Sequence, residues 1–230
     1  YCGNLLLKGN STDSENTSSK EKTNLYLDFD SSGLKNLDEL KVKPRVKQSY
    51  YKVKINGMYA GYASLSLTKK KDQFIYKSSG KIKVNGESVT AYSSALIDAK
   101  FKPQAINFGS QVRPPNGKQV TDKVSLRMSE GKVKMSSTKN GKKTNTVLDE
   151  TQVPYIAGKE CFMQFLDLKN IVKFTFTEMK AQTGEFVKYT SCVERQDDGF
   201  KVSNFTEQGE EAAQSVFLFK KDGTLKEIKD

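Results

Sequence analysis

At 230 residues and 25.8 kDa the chain fits one large β domain or two small ones. Hydrophobic residues make up 36% and mean hydropathy is −0.64, so a core forms only if the apolar residues are patterned rather than scattered. Histidine is absent, which removes Ser–His and Cys–His nucleophile activation and most zinc sites. No stretch approaches the ~18 consecutive apolar residues of a membrane helix. Carboxylate-only catalysis stays formally open, since it needs no imidazole.

The net charge of +11 is uneven: residues 1–40 carry 4 basic and 7 acidic groups, residues 41–157 carry 23 and 7, and residues 158–230 carry 11 and 13. A cationic middle third suggests an anionic partner, such as nucleic acid, a phospholipid surface or an acidic polymer, while a plain solvated face is the simpler explanation. Lysine dominates, with only four arginines, which argues against nucleic acid, whose phosphates and bases favour the bidentate guanidinium.

In chain order, Tyr1-Cys2-Gly3-Asn4 followed by a polar run suggests a lipid-bearing Cys2 at the start of an exported lipoprotein, or else a free thiol in a flexible end. Residues 1–24 lack any apolar period and are expected to be a flexible tether. Residues 25–48 form a lead-in with a short helix expected over Leu34–Leu40, stopped before Pro44. From Ser49 to Asp230 a single antiparallel β domain is expected. Tyr51, Val53 and Ile55 alternate with Lys52 and Lys54 before Asn56-Gly57, and the pattern recurs before Asn85-Gly86, Glu130-Gly131 and Asn140-Gly141. Asp198-Gly199 and Asp222-Gly223 separate the last strands. Turn signals a strand apart predict a meander: an all-β fold with minor helix, a curved antiparallel sheet forming a half-barrel or open barrel. Glu160–Leu168 is either helix or buried strand.

Few residues offer chemistry. Asp28, Asp30, Ser32 and Glu39 stand at oxygen-ligand places 1, 3, 5 and 12 of a calcium loop, with Gly33 at the sharp turn. Calcium is the only cofactor that this suggests, and an Asx turn into a capped helix explains the same residues. Lys69-Lys70-Lys71 is expected at a solvated hairpin tip. Asp149-Glu150, Asp197-Asp198 and Glu210-Glu211 fall in or beside turns, where water keeps both carboxylates ionised. Cys161 and Cys192 could form a disulfide in an oxidising compartment. Phe162, Phe165, Phe174, Phe176, Phe186, Tyr189 and Phe217 crowd the last third. In a closed sandwich they are core; on the hollow face of a curved sheet they would line a pocket for an apolar ligand.

Asn56-Gly57-Met58-Tyr59-Ala60-Gly61-Tyr62-Ala63, the Ile97-Asp98-Ala99-Lys100-Phe101-Lys102-Pro103 strand exit and the closing hairpin over residues 219–228 together resemble a family of uncharacterised exported bacterial proteins. The resemblance implies a curved antiparallel sheet, residence in the periplasm or outer cell envelope behind a signal peptide, and no known catalytic residues. The implied architecture is similar to the half-barrel of Lol-type lipoprotein carriers, which hold acyl chains inside a curved sheet. The resulting expectation is a non-enzymatic envelope protein that binds an amphipathic, lipid-like molecule or an envelope partner, with its basic third toward anionic headgroups. The alternative is a structural or adhesive surface module that recognises an anionic polymer or host component.

Overall fold

The structure is a computed structural model and describes residues 33–55, 58–206 and 215–229. In chain order the strands are β1 (Leu34–Lys35), β2 (Lys47–Ile55), β3 (Met58–Lys70), β4 (Gln73–Val84), β5 (Glu87–Ile97), β6 (Pro103–Arg113), β7 (Val120–Ser129), β8 (Lys132–Lys139), β9 (Lys142–Asp149), β10 (Tyr155–Ile156), β11 (Lys173–Met179), β12 (Phe186–Gln196), β13 (Gly199–Thr206), β14 (Ser215–Lys220) and β15 (Leu225–Lys229), with one helical turn, α1 (Lys159–Phe162). The fold is all-β with curved antiparallel sheets that do not close into a full barrel.

Strands β2 to β9 form an eight-stranded meander in strict sequence order. Its tight turns follow from their residues: Asn85-Gly86, Glu130-Gly131 and Asn140-Gly141 all hold positive φ at both positions, the two-residue turn whose twist matches that of paired strands. Lys71 sits at the β3–β4 tip with φ 55°, at the solvated end expected for the lysine run. Asn56-Gly57 lies outside the described residues, although Ile55 pairs with Met58 across it.

Period-two alternation then sorts the faces. Leu65, Leu67, Phe74, Tyr76, Ile82, Ile97, Ile106, Leu126 and Val133 are buried, while Tyr62, Lys81 and Lys123 on the same strands face solvent. Strands β1 and β10 to β15 form a second sheet ordered β1-β11-β12-β13-β14-β15, with β10 also pairing β11. Its inner face presents Phe174, Phe176, Tyr189, Val202, Phe217 and Phe219 to the first sheet's buried face, giving one continuous core.

Two local expectations are corrected. The segment Leu34–Leu40 is no α-helix: Leu34–Lys35 pairs parallel with β11, and only Leu37–Glu39 coils, as a 3-10 turn. Asn36 closes a capping box with Glu39, and pairing with a sheet edge outcompetes a helix this short. The ambiguous Glu160–Leu168 run is α1 continued by a 3-10 turn over Met163–Phe165, with Leu166 bridging back to Val42.

Candidate functional site

The strand exit after β5 is a wound loop. The carboxylate Oδ1 of Asp98 accepts hydrogen bonds from the backbone N–H of Lys100 (2.8 Å) and Lys102 (2.9 Å), while the Phe101 N–H reaches the Asp98 carbonyl at 3.1 Å. The winding holds Phe101 at φ 66°, a left-handed backbone that bulky side chains avoid. Burial compensates: the ring is fully enclosed, edge-on to Phe162 at 5.6 Å and tilted against Phe165 at 5.8 Å, geometries that aromatic pairs favour. The Phe101 carbonyl also accepts from the Ala157 N–H at 3.4 Å. Phe101 is thus a plug that ties this loop to the segment after β9.

Beside the plug lies a cleft of about 790 Å³, walled by the Leu37–Lys43 segment, the loop from Asp98 to Lys102, and the segment from Glu150 to Tyr155. That volume falls within the range of small-molecule sites, ~300–1,000 Å³. Buried Leu40 and Tyr155 contribute to its inner wall, and exposed Val153 and Pro154 stand at its mouth. The Tyr155 hydroxyl donates to Glu150 Oε1 at 2.6 Å. The same oxygen lies 3.1 Å from Lys102 Nζ, and that ammonium sits 5.6 Å from the centre of the Tyr155 ring.

This trio sets the electrostatics. The Tyr155 hydroxyl, helped by the Lys102 ammonium, holds the Glu150 carboxyl below the usual carboxylate range. Burial, and then the Glu150 charge, pushes the Tyr155 phenol well above its ordinary value. Neither group changes protonation near neutrality, so the trio organises the wall rather than moving protons. Asp98 is occupied by backbone donors. Lys41, Lys43 and Lys100 are exposed at the rim and make no ion pair among the described residues. An apolar floor beneath free ammonium groups suits a molecule with a greasy body and an anionic head.

The aromatic residues expected to line a hollow are elsewhere. Phe162, Phe165, Phe174, Phe176, Tyr189 and Phe217 are all buried. Phe176 lies between Phe162, Phe174 and Tyr189 at centroid distances of 5.8, 5.9 and 5.2 Å, and half-buried Phe186 meets Tyr155 edge-on at 4.9 Å. Ring-to-ring packing makes them the filling between the sheets, because the second sheet lies against the hollow face of the first. The disulfide is corrected too: both thiols are free. Cys161 is buried in the core on α1, while Cys192 shares the outer face of its sheet with Glu194.

Asp28, Asp30 and Ser32, like Cys2 and Glu210-Glu211, lie outside the described residues. Glu39 accepts the Asn36 N–H at 2.8 Å as part of its cap. Among the described residues no cluster of three or more Cys, Asp or Glu groups could hold a metal ion. Asp198 is the exposed turn residue expected, bound by Lys226 at 2.7 Å.

Two polar features escaped the sequence reading. Glu150 is one, half of a pair read as a solubilising turn; its partners Lys102 and Tyr155 converge only through the fold. The other is a buried network: Glu178 accepts from the Lys159 N–H at 3.0 Å and from Lys180 Nζ at 2.8 Å, beside buried Glu160. Lys159 Nζ donates to Ser215 Oγ at 3.2 Å and lies 4.7 Å from the Tyr189 ring centre. Asn204, itself fully buried, joins Ser191 at 2.6 Å and Ser215 at 3.3 Å. Apart from Glu178–Lys180, two residues apart, these contacts join different elements, Lys159 to Glu178 and Ser215 and Asn204 to the neighbouring strands, so no local motif announces the network as a whole.

No family model matches the chain. No curated protein is recognisably similar to it in sequence. Among solved structures it is similar to the crystal structure of a beta-barrel-like protein of a domain of unknown function, DUF1849, from Brucella abortus, with a TM-score of 0.53, 9% identity, and coverage of 82% of this chain and 92% of that one. At that identity the likeness concerns the fold alone: an uncharacterised β-rich, barrel-like architecture known from a bacterial protein.

Proposed function

We propose that this is a non-catalytic binding protein of the bacterial cell envelope that takes an amphipathic anion in the cleft beside Phe101. The supporting observation is the combination, in one cleft of about 790 Å³, of an apolar wall with the ammonium groups of Lys41, Lys43 and Lys100, which make no ion pair among the described residues. The likeness to Lol-type carriers suggests an acyl chain inside the sheet. The packed aromatic core directs the reading instead to the cleft at the end of the sheets, where a chain can lie against Leu40 and Tyr155 with its head at the rim.

Catalysis has no carrier in this cleft, since Glu150 and Tyr155 each hold one protonation state through the neutral range. Export remains part of the proposal through the family resemblance.

Titration with a fluorescent fatty acid below its micelle concentration tests the reading. Saturable one-site binding is expected, weakened at least about tenfold in the triple variant Lys41→Glu/Lys43→Glu/Lys100→Glu, since each reversal replaces an attractive charge at the rim. No saturable binding at low salt, or equal binding by the variant, would remove the cleft from consideration.

A further inference from the structure

The outer face of the eight-stranded sheet is rich in lysine. Cross-strand pairing sets its rows: Lys52, Tyr62, Lys81 and Thr90 stand side by side on β2 to β5, and Tyr50, Ser64, Ser79, Tyr92 and Gly109 on β2 to β6. The same face carries Lys77 and Lys83 on β4 and Lys123 and Arg127 on β7. From β2 to β8 it holds no acidic residue; Asp149, at the far corner on β9, is bound by Lys132. The acids of this stretch lie in turns or point inward, as with Asp122 opposite Lys139. A large share of the positive charge of the middle third therefore lies on one side of this sheet, the rest standing at turns, at the cleft and at the inward Lys139.

Apolar exposure is concentrated on the same region. Tyr50 is 73% exposed, Tyr59 65% and Tyr62 55%, on β2 and β3, with Tyr59 opposite Lys54; Met58, next to Tyr59 on the strand and opposite Ile55, belongs to the other face. Tyr92 lies across Gly109 so closely that a Cβ there would sit 2.3 Å from the ring; the glycine makes room for an aromatic that stays on the surface. Scattered exposed tyrosines need no explanation, but a group of them among lysines does.

We infer that this face, at its β2–β3 corner, docks on an anionic lipid bilayer. Lysines in a field free of acids gain favourable energy near a negatively charged headgroup layer and require no fixed geometry. Tyrosine adds contacts at headgroup depth, where a ring has one wet and one apolar side. A soluble polyanion would use the charge but leave Tyr59 and Tyr62 without a role, and nucleic acid would favour arginine, which is the minority here. The inference does not depend on the cleft, because the cleft is walled by other segments.

Co-sedimentation with unilamellar vesicles tests it, using the full chain. Binding to vesicles of phosphatidylglycerol with phosphatidylcholine, and none to pure phosphatidylcholine, is expected at low salt. The double variant Lys52→Glu/Lys81→Glu should partition about thirty-fold more weakly, the scale expected when two lysines lose their headgroup contacts. Lys220→Glu/Lys221→Glu, an equal charge change on the other sheet, should bind like the parent, as should the cleft triple variant. Tyr59→Ser/Tyr62→Ser, which keeps the charge, should weaken vesicle binding but leave binding of soluble polyphosphate unchanged. Equal loss in the two lysine double variants would show a mere net-charge effect. Binding to polyphosphate without binding to vesicles would assign the face to a soluble polymer. Either result overturns the inference, and neither bears on fatty-acid binding in the cleft.

Discussion

The two sheets solve the problem of burial differently. In the eight-stranded sheet β3 to β7 each have one drier and one wetter face, whereas β9 is a run of exposed residues. In the second sheet, β11 and β13 are buried on both faces over much of their length, and their polar residues therefore need partners: Ser191 with Asn204, Asn204 with Ser215, Glu178 with Lys180. The first sheet can vary its outer surface freely and has become a charged face. The second has less freedom: on β11 and β13 most substitutions disturb a ring contact or an enclosed hydrogen bond, and exposed positions are left mainly at the end of β12 and on β14 and β15.

The difference is broken most sharply by truncation. Phe176→Ala removes the ring between Phe162, Phe174 and Tyr189 and should cost about 3–5 kcal/mol in urea unfolding. Tyr62→Ala, on the wet face of the other sheet, should stay within about 0.5 kcal/mol of the parent. Comparable losses would show that the exposed tyrosine belongs to the folded core.

At the junction of the sheets, Asp98→Ala deletes an acceptor of two backbone donors and releases the loop that holds Phe101 in its left-handed conformation. A loss of about 2–3 kcal/mol is expected, measured by the same unfolding midpoint. An unchanged midpoint would show that the ring alone fixes the loop.

The smallest effect sharpens the account of the second sheet's polar interior. Burial, reinforced by the Glu178 charge and opposed by Lys159, raises the Glu160 carboxyl above its ordinary value. Glu178, although equally buried, is held low by Lys180 and Lys159. A raised folded pKa favours folding fully below the unfolded value and loses that contribution as pH rises through the folded one. Glu160→Gln should therefore stabilise the protein relative to the parent near about pH 8, with the gain shrinking toward about pH 4. Glu178 acts in the opposite sense, its contribution present above the unfolded value and lost as acid protonates it. A pH-independent gain for Glu160→Gln would rule out a protonation-linked cause.

Local sequence determined the meander. Alternation from Tyr51 onward and the Asn-Gly and Glu-Gly pairs fix strands, turns and facing without reference to the rest of the chain, because a strand's period and a turn's φ requirements act over a few residues. The absence of histidine likewise limited the chemistry before any fold was known. What only the tertiary structure decided is which apolar surface is covered and which groups meet. The second sheet lies on the first and turns an expected hollow of phenylalanines into packed core. The chain from Leu34 joins β11 instead of coiling, the two thiols fall on opposite sides of a sheet, and Lys102, Glu150 and Tyr155 converge beside a cleft whose third wall comes from residues 37–43. Those outcomes rest on contacts between residues far apart in the chain, and a pattern read over a few neighbours carries no information about them.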